Sequence, residues 1–251
     1  TDNPPNDTDN DNEPEPVPDA TTDPVQDGET EEAPTDDSPG EAEDEGRVSD
    51  YKSGRAFSDF PLSPEVLEGL KELGYQEATQ VQAEAIEPGL AGKDLLVQAK
   101  TGTGKTCAFG VPVVEALEAG SRKVQGLVLS PTRELANQIA RELTGIAKFK
   151  DVRILTIYGG VGMGPQEKAL EEGVELVVGT PGRVLDHLRR GNLDLSEAKI
   201  ACLDEADEML SMGFAKELNA IVDFTTACNA VGIGEWEQQQ AWGYTDPGNL
   251  R

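Results

Sequence analysis

The sequence predicts an α/β fold, a doubly wound parallel sheet with helices on both faces, preceded by an acidic segment outside the core. Three observations carry this. Short apolar runs alternate with longer stretches of helical periodicity across residues 55–225. Those runs are apolar at successive rather than alternate positions, the mark of strands buried on both faces. The first 50 residues hold 19 Asp and Glu against the single base Arg47, with 8 of the 16 prolines and no aromatic residue. Such a stretch buries too little apolar surface to offset the entropy of ordering it, so residues 1–54 are expected to be disordered.

The elements follow in order. Ser63-Pro64 supplies a cap and a first-turn proline, and Leu62, Val66, Leu67, Leu70 and Leu73 then recur at helical spacing. Strands are predicted at Leu95–Gln98, Gly126–Leu129, Arg153–Ile157, Glu175–Val178 and Ile200–Leu203. Helices are predicted near 105–118, 133–147, 165–172, 181–189 and 205–211, so each strand is followed by a helix. That alternation is the signature of a parallel sheet built from crossover units.

The formal net charge is −27. The first 50 residues carry −18 of it; the other 201 hold 29 acids against 20 bases, or −9. No apolar run approaches the ~18 residues of a membrane span, and the acidic start is opposite in sign to a signal peptide. Cys107, Cys202 and Cys228 have neither disulfide-framework nor metal-ligand spacing. These features point to a reducing cytoplasm with no membrane partner. The chain opens on Thr1 rather than Met, so a preceding segment is expected.

The strongest chemical signal is Ala99-Lys100-Thr101-Gly102-Thr103-Gly104-Lys105-Thr106, between a predicted strand and a predicted helix. Gly102 and Gly104 let the backbone curl until the N–H groups of Thr101 to Thr106 face one anion. Lys105 can reach outer phosphates, and the Thr106 hydroxyl can ligate Mg²⁺. Ala99 stands where such loops usually open with glycine. The second signal is Leu203-Asp204-Glu205-Ala206-Asp207, at the carboxyl end of a predicted strand, the edge where α/β sheets bind ligands. Asp204 can hold the Mg²⁺ water shell opposite Thr106, and Glu205 can orient or deprotonate a water. Taken alone, these acids could equally open a solvated helix.

Together these stretches resemble the first RecA-like domain of the DEAD-box RNA helicase family, over about Phe57 to Phe224. Gly74-Tyr75-Gln76-Glu77-Ala78-Thr79-Gln80-Val81-Gln82 is similar to that family's adenine-recognition motif, with Ala78 and Gln80 replacing its prolines. The resemblance implies that Gln82 hydrogen-bonds adenine and that Phe57 stacks on it. Pro131-Thr132-Arg133, Gly159-Gly160 and Thr180-Pro181-Gly182-Arg183 resemble the family's RNA-contacting motifs. They would offer backbone N–H groups, hydroxyls and guanidinium groups to a phosphate backbone, contacts that carry no base identity. By itself, Thr-Pro-Gly-Arg is equally a turn leading into a helix. The implied activity is ATP hydrolysis with Mg²⁺, coupled to RNA binding and unwinding, with Lys105, Asp204 and Glu205 as the catalytic set.

His187 is read as a surface helix position, Cys107 and Cys202 as small packed residues, and Asp207 as similar to the family's inter-domain coupling residue. Residues 226–251 depart from the family pattern: its Ser-Ala-Thr motif is missing and both tryptophans, Trp236 and Trp242, fall here. They are expected to be an atypical tail from a shifted reading frame or a truncation. The family's second domain, which completes the ATP site, is likewise expected to lie outside this sequence, leaving the chain a poor ATPase that does not unwind alone. The acidic first segment would keep the protein soluble, repel RNA or recruit a basic protein partner.

Overall fold

In a computed structural model the chain is described over residues 52–227. The strands are β1 (Lys52–Ala56), β2 (Glu77–Thr79), β3 (Gly126–Leu129), β4 (Ile154–Ile157), β5 (Leu176–Gly179) and β6 (Ile200–Leu203). The helices are α1 (Pro64–Glu72), α2 (Gln80–Leu90), α3 (Lys105–Ala116), α4 (Arg133–Ile146), α5 (Gly164–Glu171), α6 (Pro181–Arg190), α7 (Ala206–Ser211) and α8 (Ala215–Ala227). A short 3₁₀ turn, Phe57–Asp59, follows β1.

Strands β3 to β6 form one parallel sheet in the order β4-β5-β3-β6. Each strand is only four residues long and, Thr156 apart, without polar side chains, so successive side chains enter different layers. Val128, Leu176 and Val178 pack with Val111, Val114, Ile139 and Leu143 of α3 and α4. Leu127, Leu129 and Val177 point the other way, onto Val184, Leu188, Met209 and Leu218 of α6 to α8. The predicted α/β architecture, with helices on both faces, is therefore present.

Local chemistry sets the helix ends. The Thr132 hydroxyl accepts from Leu135 N–H at 3.3 Å and caps α4. Pro64 and Pro181 open α1 and α6, and Gly191 ends α6 in the left-handed region at φ +74°. At the amino-terminal edge of the sheet, fully buried Glu175 accepts from the backbone N–H of Arg122 (2.6 Å) and Arg153 (2.7 Å), with the Arg122 guanidinium 3.6 Å away. Its charge is thereby hydrogen-bonded and paired, as burial requires.

Four expectations are corrected. Leu95–Gln98 is not a strand: none of its residues pairs in the sheet, and Leu96 is 87% exposed. An apolar run becomes a strand only where another strand completes its hydrogen bonds, and β6 ends the sheet without one among the described residues. Residues 52–54, expected in the tail, belong to β1, which pairs antiparallel with β2 (Arg55↔Ala78, Ala56↔Glu77). The boundary at 225 falls inside α8, a helix that, like α2, periodicity does not announce; Pro88 within α2 masks its helical pattern. His187 is fully buried rather than on the surface. The expected disorder of residues 1–51, Cys228 and the atypical tail beyond 227 lie outside the described residues.

Burial of His187 has a pH consequence. Desolvation first, and then the charge of Arg183, hold its imidazole below the usual value of 6.5. The unfolded chain therefore binds a proton that the folded chain refuses. Stability is fully present above the unfolded pKa and is lost as pH falls through 6.5 toward the lower folded value. The melting temperature of the wild type is expected to drop between pH 7.5 and 5.5 by more than that of His187→Leu. Parallel pH profiles in differential scanning calorimetry would refute this.

Candidate functional site

Strand register decides which loops meet. Leu129 is level with Gly179 and with Leu203, and Ile157 with Gly179. The ladder runs one residue further at each end: Ser130 N–H donates to Gly179 O (3.0 Å), Thr180 N–H to Ile157 O (3.0 Å) and Asp204 N–H to Leu129 O (2.9 Å). Pro131-Thr132-Arg133, Gly159-Gly160, Thr180-Pro181-Gly182-Arg183 and Asp204-Glu205 consequently leave the sheet along one carboxyl edge, where open α/β sheets bind ligands.

The loop from Ala99 to Thr106 closes on itself. Gly102 and Gly104 adopt φ +77° and +85°, and Gly104 forms the cap of α3. The Thr103 hydroxyl donates to Lys100 O at 2.8 Å, and Lys105 Nζ donates to Ala99 O at 2.9 Å. The ammonium group thus sits across the concavity of the loop, on the carbonyl at its start. Thr101 and Gly102 are exposed, Thr103 is buried, and Thr106 lies half-buried in the first turn of α3. Successive amides curled around a helix amino terminus, with a lysine and a hydroxyl, form an anion cradle.

Thr79 and Gln82 hold this loop from the side. They form a capping box at the start of α2, with Gln82 Oε1 accepting from Thr79 N–H at 2.8 Å. The Thr79 hydroxyl donates to Thr103 O at 2.9 Å, and Gln82 Nε2 donates to Gly104 O at 3.1 Å. Gln82 is 1% exposed with both ends of its amide engaged, so it braces the phosphate loop rather than facing an open site. Phe57 also differs from expectation. Its ring is buried against Phe60 and Tyr75, at centroid distances of 6.1 and 5.8 Å, instead of presenting an open stacking face.

Asp204 is half-buried at the end of β6. Burial raises its carboxyl above the ordinary aspartate value, while the charge of Lys105 pulls it back down. Glu205 takes φ +54°, a left-handed conformation costly for a residue with a Cβ, where β6 turns into α7. A hydrogen bond with Glu208 is the largest cause holding its carboxyl above the usual value, followed by burial and the charges of Glu208 and Asp204. Cys107 and Cys202 lie beneath, both thiols pushed up by burial and unreactive as a result.

Around the same edge, the Arg133 guanidinium pairs with Glu134 at 3.1 Å and lies 5.8 Å from the centre of the Tyr158 ring. Gly159 and Gly160 are exposed, Gly160 at φ +82°. Pro131 and Pro181 are buried, and the Thr180 hydroxyl makes no cap hydrogen bond. A Cβ on Gly182 would meet nothing within 4 Å. Sequence reasoning missed two residues of this surface, Gln166 and His187, whose side chains tie its parts together from below.

The family model described as DEAD/DEAH box helicase matches residues 79–234. The chain is 48% identical over 166 residues to the DEAD-box ATP-dependent RNA helicase CshA of Bacillus licheniformis, covering 66% of this chain and 34% of that protein. To the protein of the same name from Geobacillus kaustophilus it is 46% identical over 171 residues, 68% of this chain and 37% of the relative. The chain therefore spans about a third of the length of these relatives. The crystal structure of a DEAD box protein from the hyperthermophile Methanococcus jannaschii superposes with a TM-score of 0.64 at 40% identity, over 67% of this chain and 46% of that one. With a family match over more than half its length, the chain belongs to the DEAD/DEAH box helicase family.

Proposed function

We propose that residues 55–225 form the nucleotide- and RNA-binding RecA-like domain of a cytoplasmic ATP-dependent RNA helicase, one that couples ATP binding and hydrolysis to RNA binding and local duplex opening. The observation that carries this is convergence: Asp204-Glu205 and three sets of phosphate-backbone donors leave one edge of one sheet, and Lys105 of the phosphate loop is close enough for its charge to act on the Asp204 carboxyl. The donor set fits Mg²⁺-ATP. The Thr106 hydroxyl and Asp204 carboxylate are hard oxygen donors of the kind that hold Mg²⁺ together with water and phosphate oxygens. When bound, Mg²⁺ neutralises charge on the outer phosphates.

The chain's own residues do the rest. Lys105 exchanges the Ala99 carbonyl for phosphate oxygens, and the amides of Thr101 to Lys105 hold the phosphate chain. Glu205, whose carboxyl is held above its usual value, accepts a hydrogen bond from the attacking water and takes its proton. Gln82 keeps a second N–H on Nε2 and a second acceptor site on Oε1 beyond those bonded to Gly104 O and Thr79 N–H, so recognition of adenine by this amide would link the base directly to the phosphate loop. Stacking on Phe57 requires that ring to be uncovered. Arg133, Arg183 and the exposed glycine turns position an RNA backbone without reading its bases. The acidic first 50 residues carry −18 of the net charge, which suits a basic protein partner.

These 251 residues alone are expected to bind ATP weakly, hydrolyse it slowly and separate no duplex. Adding single-stranded RNA should still raise phosphate release; release that never responds would favour a nucleotide- and RNA-binding module without turnover. The Arg133→Ala, Arg183→Ala double variant is expected to bind labelled oligouridylate at least about tenfold more weakly, with fluorescent-ADP affinity unchanged. Its salt dependence should flatten by roughly 0.7 in log–log slope for each phosphate that the missing guanidinium groups no longer neutralise. Full RNA binding by that variant would mean that Arg133 and Arg183 do not carry the contact.

A further inference from the structure

Beneath the proposed RNA surface, three of its parts hang from one side-chain amide. Gln166, in the first turn of α5, is buried, and its orientation is set by Nε2, which donates to Tyr158 O at 3.1 Å. Its Oε1 therefore faces the other way and accepts from Arg183 Nη1 at 3.3 Å. The same oxygen lies 3.0 Å from His187 Nε2. An amide oxygen has no proton to give, so His187 donates and carries its hydrogen on Nε2. The other ring nitrogen, Nδ1, is buried with no hydrogen-bond partner, so a second proton there would find no acceptor. The ring is thus a fixed neutral donor to Gln166.

What Gln166 holds is the backbone-binding surface. Arg183 uses Nη2 to donate to Val161 O at 3.0 Å, just past Gly159-Gly160. That glycine turn has no side chain of its own to anchor it, and an added Cβ at either position would touch nothing within 4 Å. Its two ends are instead held at the Tyr158 and Val161 carbonyls, one directly by Gln166 and the other through Arg183. Tyr158 also carries the Arg133 guanidinium over its ring. A free arginine side chain loses rotamer entropy when it grips a phosphate; one already clamped by two hydrogen bonds has lost it beforehand. Three of the five N–H groups of Arg183 remain for a ligand.

We propose that His187, acting through Gln166, is a positioning residue that prearranges the Gly159-Gly160 turn and the Arg183 guanidinium as a single site for a nucleic-acid phosphate backbone. The proposal rests on the RNA-binding reading above. Without the imidazole donor, Gln166 is held by one fewer bond, and the links to Tyr158, Arg183 and Val161 loosen together.

The test uses the full 251-residue chain with two substitutions at one position. His187→Leu keeps roughly the side-chain volume but removes the donor, and His187→Gln returns an amide N–H near the place of Nε2. Binding of a fluorescein-labelled oligouridylate is expected to weaken about tenfold in His187→Leu and to stay within about twofold of wild type in His187→Gln. Amide hydrogen exchange across residues 158–163 should speed up in the leucine variant and be restored in the glutamine variant. Fluorescent-ADP affinity, which reports an intact fold, should be unchanged in both. Wild-type RNA affinity and exchange in His187→Leu, or a His187→Gln variant as impaired as the leucine one, would overturn the proposal. If the wild type bound no RNA, the RNA reading itself would fail, and the exchange measurement would still decide whether His187 fixes the turn.

Discussion

Gly104→Ala is expected to lower nucleotide affinity by about a hundredfold or more, and Gly102→Ala by only about tenfold. The two glycines share a left-handed backbone, φ +77° at 102 and +85° at 104, so each alanine pays roughly 1–2 kcal/mol for its Cβ in that region. The surroundings differ. A Cβ at 102 has nothing within 4 Å, whereas one at 104 overlaps Gln82 Nε2 and lies 3.2 Å from its Cδ. Gln82 is 1% exposed and bonded at both ends, to Thr79 N–H and Gly104 O, so it cannot swing away without breaking both bonds, at about 1 kcal/mol each. The loop moves instead, and the amide cradle with it. Because every 1.4 kcal/mol is a factor of ten, the extra cost separates the variants by at least a decade. Titration with a fluorescent ADP analogue measures this; equal affinities would mean that Gln82 does not brace the loop.

Gly69→Ala is the substitution expected to cost the most stability. Gly69 lies on α1 where the helix meets the end of α4. An added Cβ there would collide with the Ile146 carbonyl oxygen and lie 2.9 Å from that of Gly145. Both are backbone atoms, so relief requires the helices to part. Gly145 is close only to a side chain: a Cβ there would meet Leu73 Cδ2 at 2.8 Å. Gly69 lets α1 touch the backbone at the end of α4, with Leu70 and Ile146 buried in the core beside it. Overpacking of this kind costs about 1–3 kcal/mol and more where backbone must move; we expect the upper end. For a domain this size that lowers the melting temperature by roughly 6–12 °C. Gly164→Ala, at the start of α5 with nothing within 4 Å, is the control and should shift melting little. Near-wild-type melting of Gly69→Ala would show that the contact gives way freely.

The loss at Gly69 should reach the nucleotide site as well. Tyr75, just after α1, packs its ring on Phe57 and donates to Glu142 of α4 at 2.9 Å. Burial is the main cause raising the Glu142 carboxyl, and the Tyr75 bond partly offsets it. Parting the helices would disturb this contact, and with it the Phe57 ring and the β1–β2 pair that leads into Thr79 and α2.

Much of the site was legible because its signals are local. Gly102 and Gly104 declare their backbone angles, the Lys-Thr pair declares a phosphate ligand, and Thr132 and Pro181 declare helix starts, each within a few residues. Four of the five predicted parallel strands were also local, since four consecutive apolar residues between helices have little else to become. The placement of Asp204 at the carboxyl edge followed from its position just past a run with strand character.

The sequence by itself therefore determined the α/β class and the family. Only the tertiary structure decided where long-range partners fell. It denied Leu95–Gln98 a ladder, since a strand is a property of two segments and not one. It buried His187 under Gln166, turned the Gln82 amide onto Gly104 and covered Phe57 with Tyr75. Each of these is a contact between residues distant along the chain or a consequence of helix rotation, and residue spacing carries no record of either. Periodicity specifies what a segment can become; burial and hydrogen-bond partners, set by neighbours elsewhere in the chain, decide what it does.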